Sequence, residues 1–205
     1  MHCFLRQLLT VAFVGVLLLA GQAQAADKPK LSLEEQEALA LKIFQDLGKV
    51  PEGKLDVFNH FYREVIEKCP DTERAEISYW RLSNLLIMGY DPPRRKEAIE
   101  LLEQFLVRYP ASKGVGHVKS RLLRLYEDTG DYCKATKLYK EIIPNIPDPP
   151  DRKGLSYWVL YAEALEKCGQ KEEARKWYEK VLKAAKDPES MSAMIAKDGL
   201  SRLNK

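Results

Sequence analysis

Apolar residues recur along this chain at intervals of three and four, and no segment alternates with period two, so the pattern predicts helices and no sheet. Ser32 with Glu35 makes an S-x-x-E capping box ahead of Leu33, Leu39, Ile43, Phe44 and Leu47, an amphipathic helix that ends at Gly48. Pro51 and Gly53 mark a turn. Val57, Phe58, Phe61, Tyr62, Val65 and Ile66 then form a second stripe, stopped by Pro70. A third helix, with Asp71 as its predicted cap, carries Ile77, Trp80, Leu82, Leu85, Leu86 and Met88 as far as Gly89. After the connection Asp91-Pro92-Pro93, its partner holds Ala98, Ile99, Leu101, Leu102, Phe105, Leu106 and Tyr109 and stops at Pro110.

The same alternation of helix, turn and helix continues. Val118 to Tyr126 predict a helix, Asp128 to Asp131 a turn, and Ala135, Leu138, Tyr139, Ile142 and Ile143 its partner. Four prolines between Pro144 and Pro150 predict a stiff extended spacer. Asp151 reopens the helical pattern and leads into the cleanest stretch of the chain, Leu155 to Leu182, a helix, a turn at Gly169 and a second helix. Beyond it, Asp187-Pro188 reads as a cap followed by proline at the first helical position. The last helix places Ala193, Ala196, Leu200 and Leu203 on one side, as suits a cover for an exposed end.

The units come into phase on the small residues Ala98, Ala135 and Ala174, where two helices must cross at close range. An aromatic four positions on, Tyr139 or Tyr178, lies on the same helical face. Gly130 and Gly169 supply the turn, and Pro70, Pro110 and Pro147 close successive units. Together with Trp158 and Ala162, this spacing closely resembles the tetratricopeptide repeat. The chain departs from the family pattern at Asp46, where a small residue is expected, and at the insertion Asp91 to Pro93. The run Phe105 to Ser112 with the later Gly130-Asp131-Tyr132 resembles the repeats of exported bacterial scaffolds of the outer-membrane assembly and Tol-Pal-associated types. The lipid-bearing cysteine and coiled-coil segment of those proteins are absent.

The resemblance implies an all-α, right-handed superhelical solenoid of antiparallel helix pairs whose first helices line a concave groove, where a protein or peptide partner binds. By repeat phase the groove positions are Trp80, Arg81, Asn84 and Ile87, then His117, Ser120, Arg121 and Arg124, then Ser156, Val159 and Glu163. Tyr79 occupies the inward aromatic position, which directs Trp80 outward; the reverse assignment is the alternative. Arg121 and Arg124 are placed either to take a partner carboxylate or, alternatively, to pair with Glu127 and Asp128 or face water. Repeat geometry puts Cys133 and Cys168 on the turn edge of adjacent units and Cys69 on the opposite edge, so a disulfide would join Cys133 to Cys168; the alternative is three buried thiols.

Composition adds an address and removes several chemistries. Arg6, the apolar run Leu8 to Ala20 and the small-x-small site Ala23-Gln24-Ala25 read as a secretory signal peptide, residues 1–25. The run is too short for a stable membrane span, and the resemblance favours the periplasm. The remaining organisation reads as an amino-terminal amphipathic helix and turn at 26–54, a repeat solenoid at 55–186 and a capping helix at 187–205. With 33 basic and 30 acidic residues in 205, the slight positive balance points to no nucleic acid and no anionic surface. No spacing of His and Cys suits a metal, and no nucleophile elbow or phosphate loop is present, so the expectation is a binding protein with no cofactor and no catalysis. The competing reading is an envelope enzyme or carbohydrate-binding accessory that uses the same groove.

Overall fold

In the computed structural model, which describes residues 31–205, nine α-helices follow one another among the described residues: α1 Leu33–Leu47, α2 Leu55–Lys68, α3 Glu73–Asn84, α4 Arg95–Arg108, α5 Val115–Thr129, α6 Tyr132–Ile142, α7 Arg152–Lys167, α8 Lys171–Ala184 and α9 Met191–Leu203. The signal peptide read at 1–25 and the lead at 26–30 lie outside the described residues. Consecutive helices pack as antiparallel pairs, α1 also touches α3, and α9 lies against both α8 and α7. The fold is the helical repeat that the spacing predicts.

Close crossing is the reason for the small residues. Ala98, Ala135 and Ala174 are each fully buried where paired helices meet. In the last two units the turn between helices depends on a residue with positive φ, Gly130 at 79° and Gly169 at 85°, a conformation that costs a residue with a Cβ about 1–2 kcal/mol. Tyr139 donates a hydrogen bond to Glu127 (2.7 Å) and Tyr178 donates one to Glu166 (2.6 Å), so the second helix of each unit is fastened to the end of its own first helix. Cys133 and Cys168, with Cα atoms 5.0 Å apart, form a disulfide that ties the third unit to the fourth. Cys69 is a buried free thiol.

Several local expectations need correction. Thr72, not Asp71, caps α3: its hydroxyl oxygen accepts from the Ala75 N–H (3.2 Å). Asp71 is drawn instead toward α1, where the buried Gln36 donates to its carboxylate and accepts from its backbone N–H, both at 3.0 Å. The α3 helix does not run regularly to Gly89 but ends in a π-helical turn, Leu85–Gly89. The proline spacer begins as a 3-10 turn, Ile143–Asn145, before it extends. Asp187-Pro188 does not start the last helix. Those residues form a turn in which the Asp187 carboxylate accepts from the Glu189 N–H (2.9 Å), and α9 begins after Ser190.

The insertion at Asp91 to Pro93 is held by the unit before it. Tyr90 donates to Asp56 on α2 (2.8 Å) and accepts from Asn59 (3.2 Å), while the Arg94 guanidinium stacks 3.7 Å above the Tyr90 ring. The Arg94 N–H reaches back to the Leu86 carbonyl at 2.8 Å and thereby closes the widened connection.

Candidate functional site

The buried stripe of α3 is Tyr79, Leu82, Ser83 and, in the π turn, Leu86. Adjacent residues on a helix point about 100° apart, so this stripe necessarily turns Trp80 away from the core. Tyr79 is 4% exposed and packs edge-on against Phe105 and Tyr109, with centroids 5.7 and 5.8 Å away; Trp80 is 37% exposed.

From the next first helix, α5, Arg121 lays its guanidinium over the Trp80 ring, 3.7 Å from the centroid. The same group donates to the Ser83 hydroxyl (3.1 Å) and to the Asn84 side-chain carbonyl, which fixes its plane. His117, one turn earlier on α5, meets the indole edge-on at 6.5 Å. Among the described residues this half-buried cation is thus held by an indole and two neutral acceptors rather than by a carboxylate. Burial lowers the Arg121 pKa from its ordinary value, and the neighbouring Arg124 adds to the effect. Pairing with Glu127 and Asp128 does not occur, since Glu127 accepts from Tyr139 and Asp128 lies 3.8 Å from Arg95.

Trp80 stands at the side of a cleft of about 760 Å³ that runs between α3 and the start of α5. Ile77, Arg81, Phe105, Lys113 and His117 share its wall, with Glu73 and Glu76 nearby. Ile77, Phe105 and Lys113 are not among the groove positions that repeat phase predicts. Ile77 lies three residues before Trp80, so helical spacing alone could have found it. Lys113 belongs to a loop positioned by the hydrogen bond that Ser112 donates to Glu76 (2.5 Å), and nothing in the local sequence announces that contact.

The remaining predicted positions are less uniform. Arg81 is exposed and reaches back over Phe44 of α1, 5.5 Å from the ring centroid. Ile87 lies half-buried in the π turn. Ser120 and Ser156 spend their hydroxyls on carbonyls of their own helices, at Gly116 (3.0 Å) and Arg152 (3.1 Å). Arg124 is exposed. Val159 is 2% exposed, because α9 packs beside α7 as a further first helix would, and what remains of its surface, with Ser156, lines the cleft between α7 and α9. Glu163 is half-buried near Glu166 and Glu127, and burial raises its carboxyl pKa against the pull of Lys167 and Arg202. The structure therefore joins Trp80, Asn84, His117 and Arg121 into one cluster and leaves the α7 positions apart from it.

A second cleft, of about 880 Å³, opens between α7, the end of α8 and the start of α9. Among the described residues no three His, Cys, Asp or Glu side chains converge as metal ligands would, and no helix is long and apolar enough to cross a membrane.

The tetratricopeptide repeat family matches residues 155–188, the stretch in which the helix, glycine turn and helix are most regular. A Podosopora anserina chain of nearly identical TPR-like repeats, described as a kinesin light chain, is similar in structure with a TM-score of 0.55 and 19% identity, over 83% of this chain and 84% of that one. A single-substitution variant of that protein gives a TM-score of 0.54 at the same identity and coverage. At that identity the likeness is one of fold. No curated protein matches the sequence.

Proposed function

We propose that this chain is an exported scaffold, of the kind found among bacterial envelope proteins with tetratricopeptide repeats, that binds a protein or peptide partner along the first-helix groove of its solenoid. The observation that carries this reading is the Trp80 cluster. A part-exposed indole is pinned by Arg121 at the side of an open cleft, so its rotamer freedom is already spent before a partner arrives. Tryptophan and arginine are the residues that most often dominate interface energy, and a preset aromatic anchor converts apolar burial into affinity with little ordering cost.

Export is supported by the apolar run and Ala-x-Ala site at the start of the sequence and by a disulfide between exposed and half-exposed positions, a pairing that persists in oxidising compartments.

A photo-crosslinking amino acid at Ile77, beside the anchor, identifies the partner in envelope extract. Trp80→Ala should then weaken that partner's binding by a factor of about 30, corresponding to the ~2 kcal/mol of a hot-spot truncation, while the unfolding midpoint stays put. Unchanged affinity would remove Trp80 from the interface. Turnover of an envelope glycan by the purified protein would replace the scaffold reading altogether.

A further inference from the structure

The outward face of α3 continues past Trp80 in both directions. Ile77, Trp80, Arg81 and Asn84 lie one above the other at helical spacing, and Met88 in the π turn extends the line. Its large apolar side chains stand in solvent: Ile77 and Trp80 are each 37% exposed and Met88 is 74% exposed. From Ile77 to Met88 the stripe runs about 16 Å at the rise of an α-helix. The cleft of about 760 Å³ opens at its amino-terminal end. A smaller cleft of about 440 Å³, walled in part by Phe58 and Tyr62 of α2, opens at the other, and Arg81 borders both.

The polar groups along this face decide what can lie on it. From Ile77 to Asn84 the peptide groups are bonded within the helix, and the Asn84 side-chain carbonyl is already taken by Arg121. An extended chain laid along the stripe would therefore bury its own N–H and C=O groups without partners, which is costly. A helix arrives with its backbone bonds made, and its side chains at i, i+3 and i+4 meet a line of anchors of the same spacing. Charge selects the middle of the stripe. Arg81 is exposed there, lies over Phe44 and forms no ion pair among the described residues. The carboxylates stand toward the ends: Glu52 beside the smaller cleft, and Glu73 and Glu76 at the larger, where Glu76 accepts from Ser112 and Lys113 is close by.

We infer that the outward face of α3 docks an amphipathic α-helix of the partner, about three turns long, with apolar side chains over Ile77, Trp80 and Met88 and a carboxylate at Arg81. The inference rests on the proposed scaffold function, for which it names the shape and the charge of the bound segment.

The probe is a peptide of two copies of Glu-Leu-Leu-Glu-Ala-Leu-Ala-Lys, capped at both ends. Its counterpart carries proline for the first alanine of each copy, which keeps every leucine and every charge but breaks the helix. In an amide-resolved NMR titration of the protein, the helical peptide should shift the amides of Ile77, Trp80, Asn84 and Met88 and bind at least tenfold more tightly than the proline peptide. Met88→Ser, at an exposed side chain, should weaken that binding at least threefold and leave the unfolding midpoint in place. A third peptide with Gln for every Glu should bind at least threefold less tightly, and Arg81→Gln should remove that difference. Equal binding of the helical and proline peptides, silence of the α3 amides, or unchanged affinity of Met88→Ser would overturn the inference. A preference for Glu that survived Arg81→Gln would overturn the placing of the carboxylate. Shifts confined to the amides around Ile77 and His117, with Asn84 and Met88 unmoved, would overturn the helix while leaving the groove reading intact. Failure of the scaffold reading is seen separately, in unchanged partner affinity of Trp80→Ala.

Discussion

In the fourth repeat every fastening lies within the unit or at its immediate seams. Gly169 makes the turn in a left-handed conformation, Tyr178 bonds to Glu166 across the helix pair, and Arg202 of α9 adds two hydrogen bonds to the same carboxylate (2.9 and 2.8 Å). The second repeat has none of these. Its first helix ends in a π turn, its connection is lengthened by Asp91 to Pro93, and its ring hydroxyls bond outside the helix pair, Tyr90 to Asp56 of the preceding pair and Tyr109 to the Pro70 carbonyl. Arg63 of α2 pairs with Glu97 of α4 (2.9 Å) in the same sense. A regular repeat can thus be closed by its own sequence, whereas an irregular one borrows closure from its neighbour. The irregular unit is also the one that presents Trp80, so freedom from the repeat's internal constraints and a surface available for binding occur together.

The strongest way to break this contrast is to remove the disulfide. Replacing Cys133 and Cys168 together by Ser releases a covalent link across 35 positions of sequence, for which chain entropy gives a loss of about 4 kcal/mol. Urea unfolding under oxidising conditions measures it, and hydrogen exchange locates it. Faster exchange should appear in α7 to α9, with α2 and α3 little changed, because the second repeat is secured from the other side. A loss below about 1 kcal/mol, small even for a native disulfide, would mean that packing of α6 on α7 already does the same task.

A smaller effect is expected where α9 meets the fourth repeat. Gly199 is buried against Tyr178, and a Cβ there would fall within the van der Waals envelope of the ring. That ring cannot swing aside without breaking its bond to Glu166. Gly199→Ala should therefore cost about 2 kcal/mol through overpacking. Gly116→Ala on α5 is the control: a Cβ there meets nothing within 4 Å, and alanine favours the helix by up to about 1 kcal/mol. Equal midpoints for the two variants would show that α9 is loosely laid on the end and not keyed to Tyr178.

The legible part of this molecule was the part that repeats. Ala135, Gly130 and Tyr139 announce their roles because each recurs in phase with Ala174, Gly169 and Tyr178, and burial with positive φ at the glycines is what that recurrence requires. Tyr79 inward and Trp80 outward followed from the same phasing. What could not be read were contacts between distant polar groups. Nothing near Asp71 tells that Gln36 will claim it and leave the cap to Thr72. Nothing near Arg121 tells that it will lie on an indole two helices earlier and not beside Glu127. Val159 differs for a related reason: repeat phase gives the face a residue occupies, but its exposure depends on what packs next, and α9 leaves it only the wall of the cleft beside α7.

The smallest predicted effect is a difference in acid response at the end of the fourth repeat. Hydrogen bonds from Arg202 hold the Glu166 carboxyl below its ordinary pKa against the opposing effect of burial. Its contribution to stability is present above the unfolded-state value and is lost as pH falls through the lowered folded-state value. Glu163, one helical turn earlier, has the opposite sign. Burial raises its pKa, so its charge costs stability at neutral pH, and the cost disappears once pH drops below the ordinary carboxylate range. Glu163→Gln should therefore raise the thermal midpoint at pH 7 and match the parent at pH 3. Arg202→Gln should lower it at pH 7, with the gap narrowing in acid. Midpoints measured across that range separate the two, and a Glu163→Gln gain that persisted at pH 3 would assign the effect to packing instead of charge.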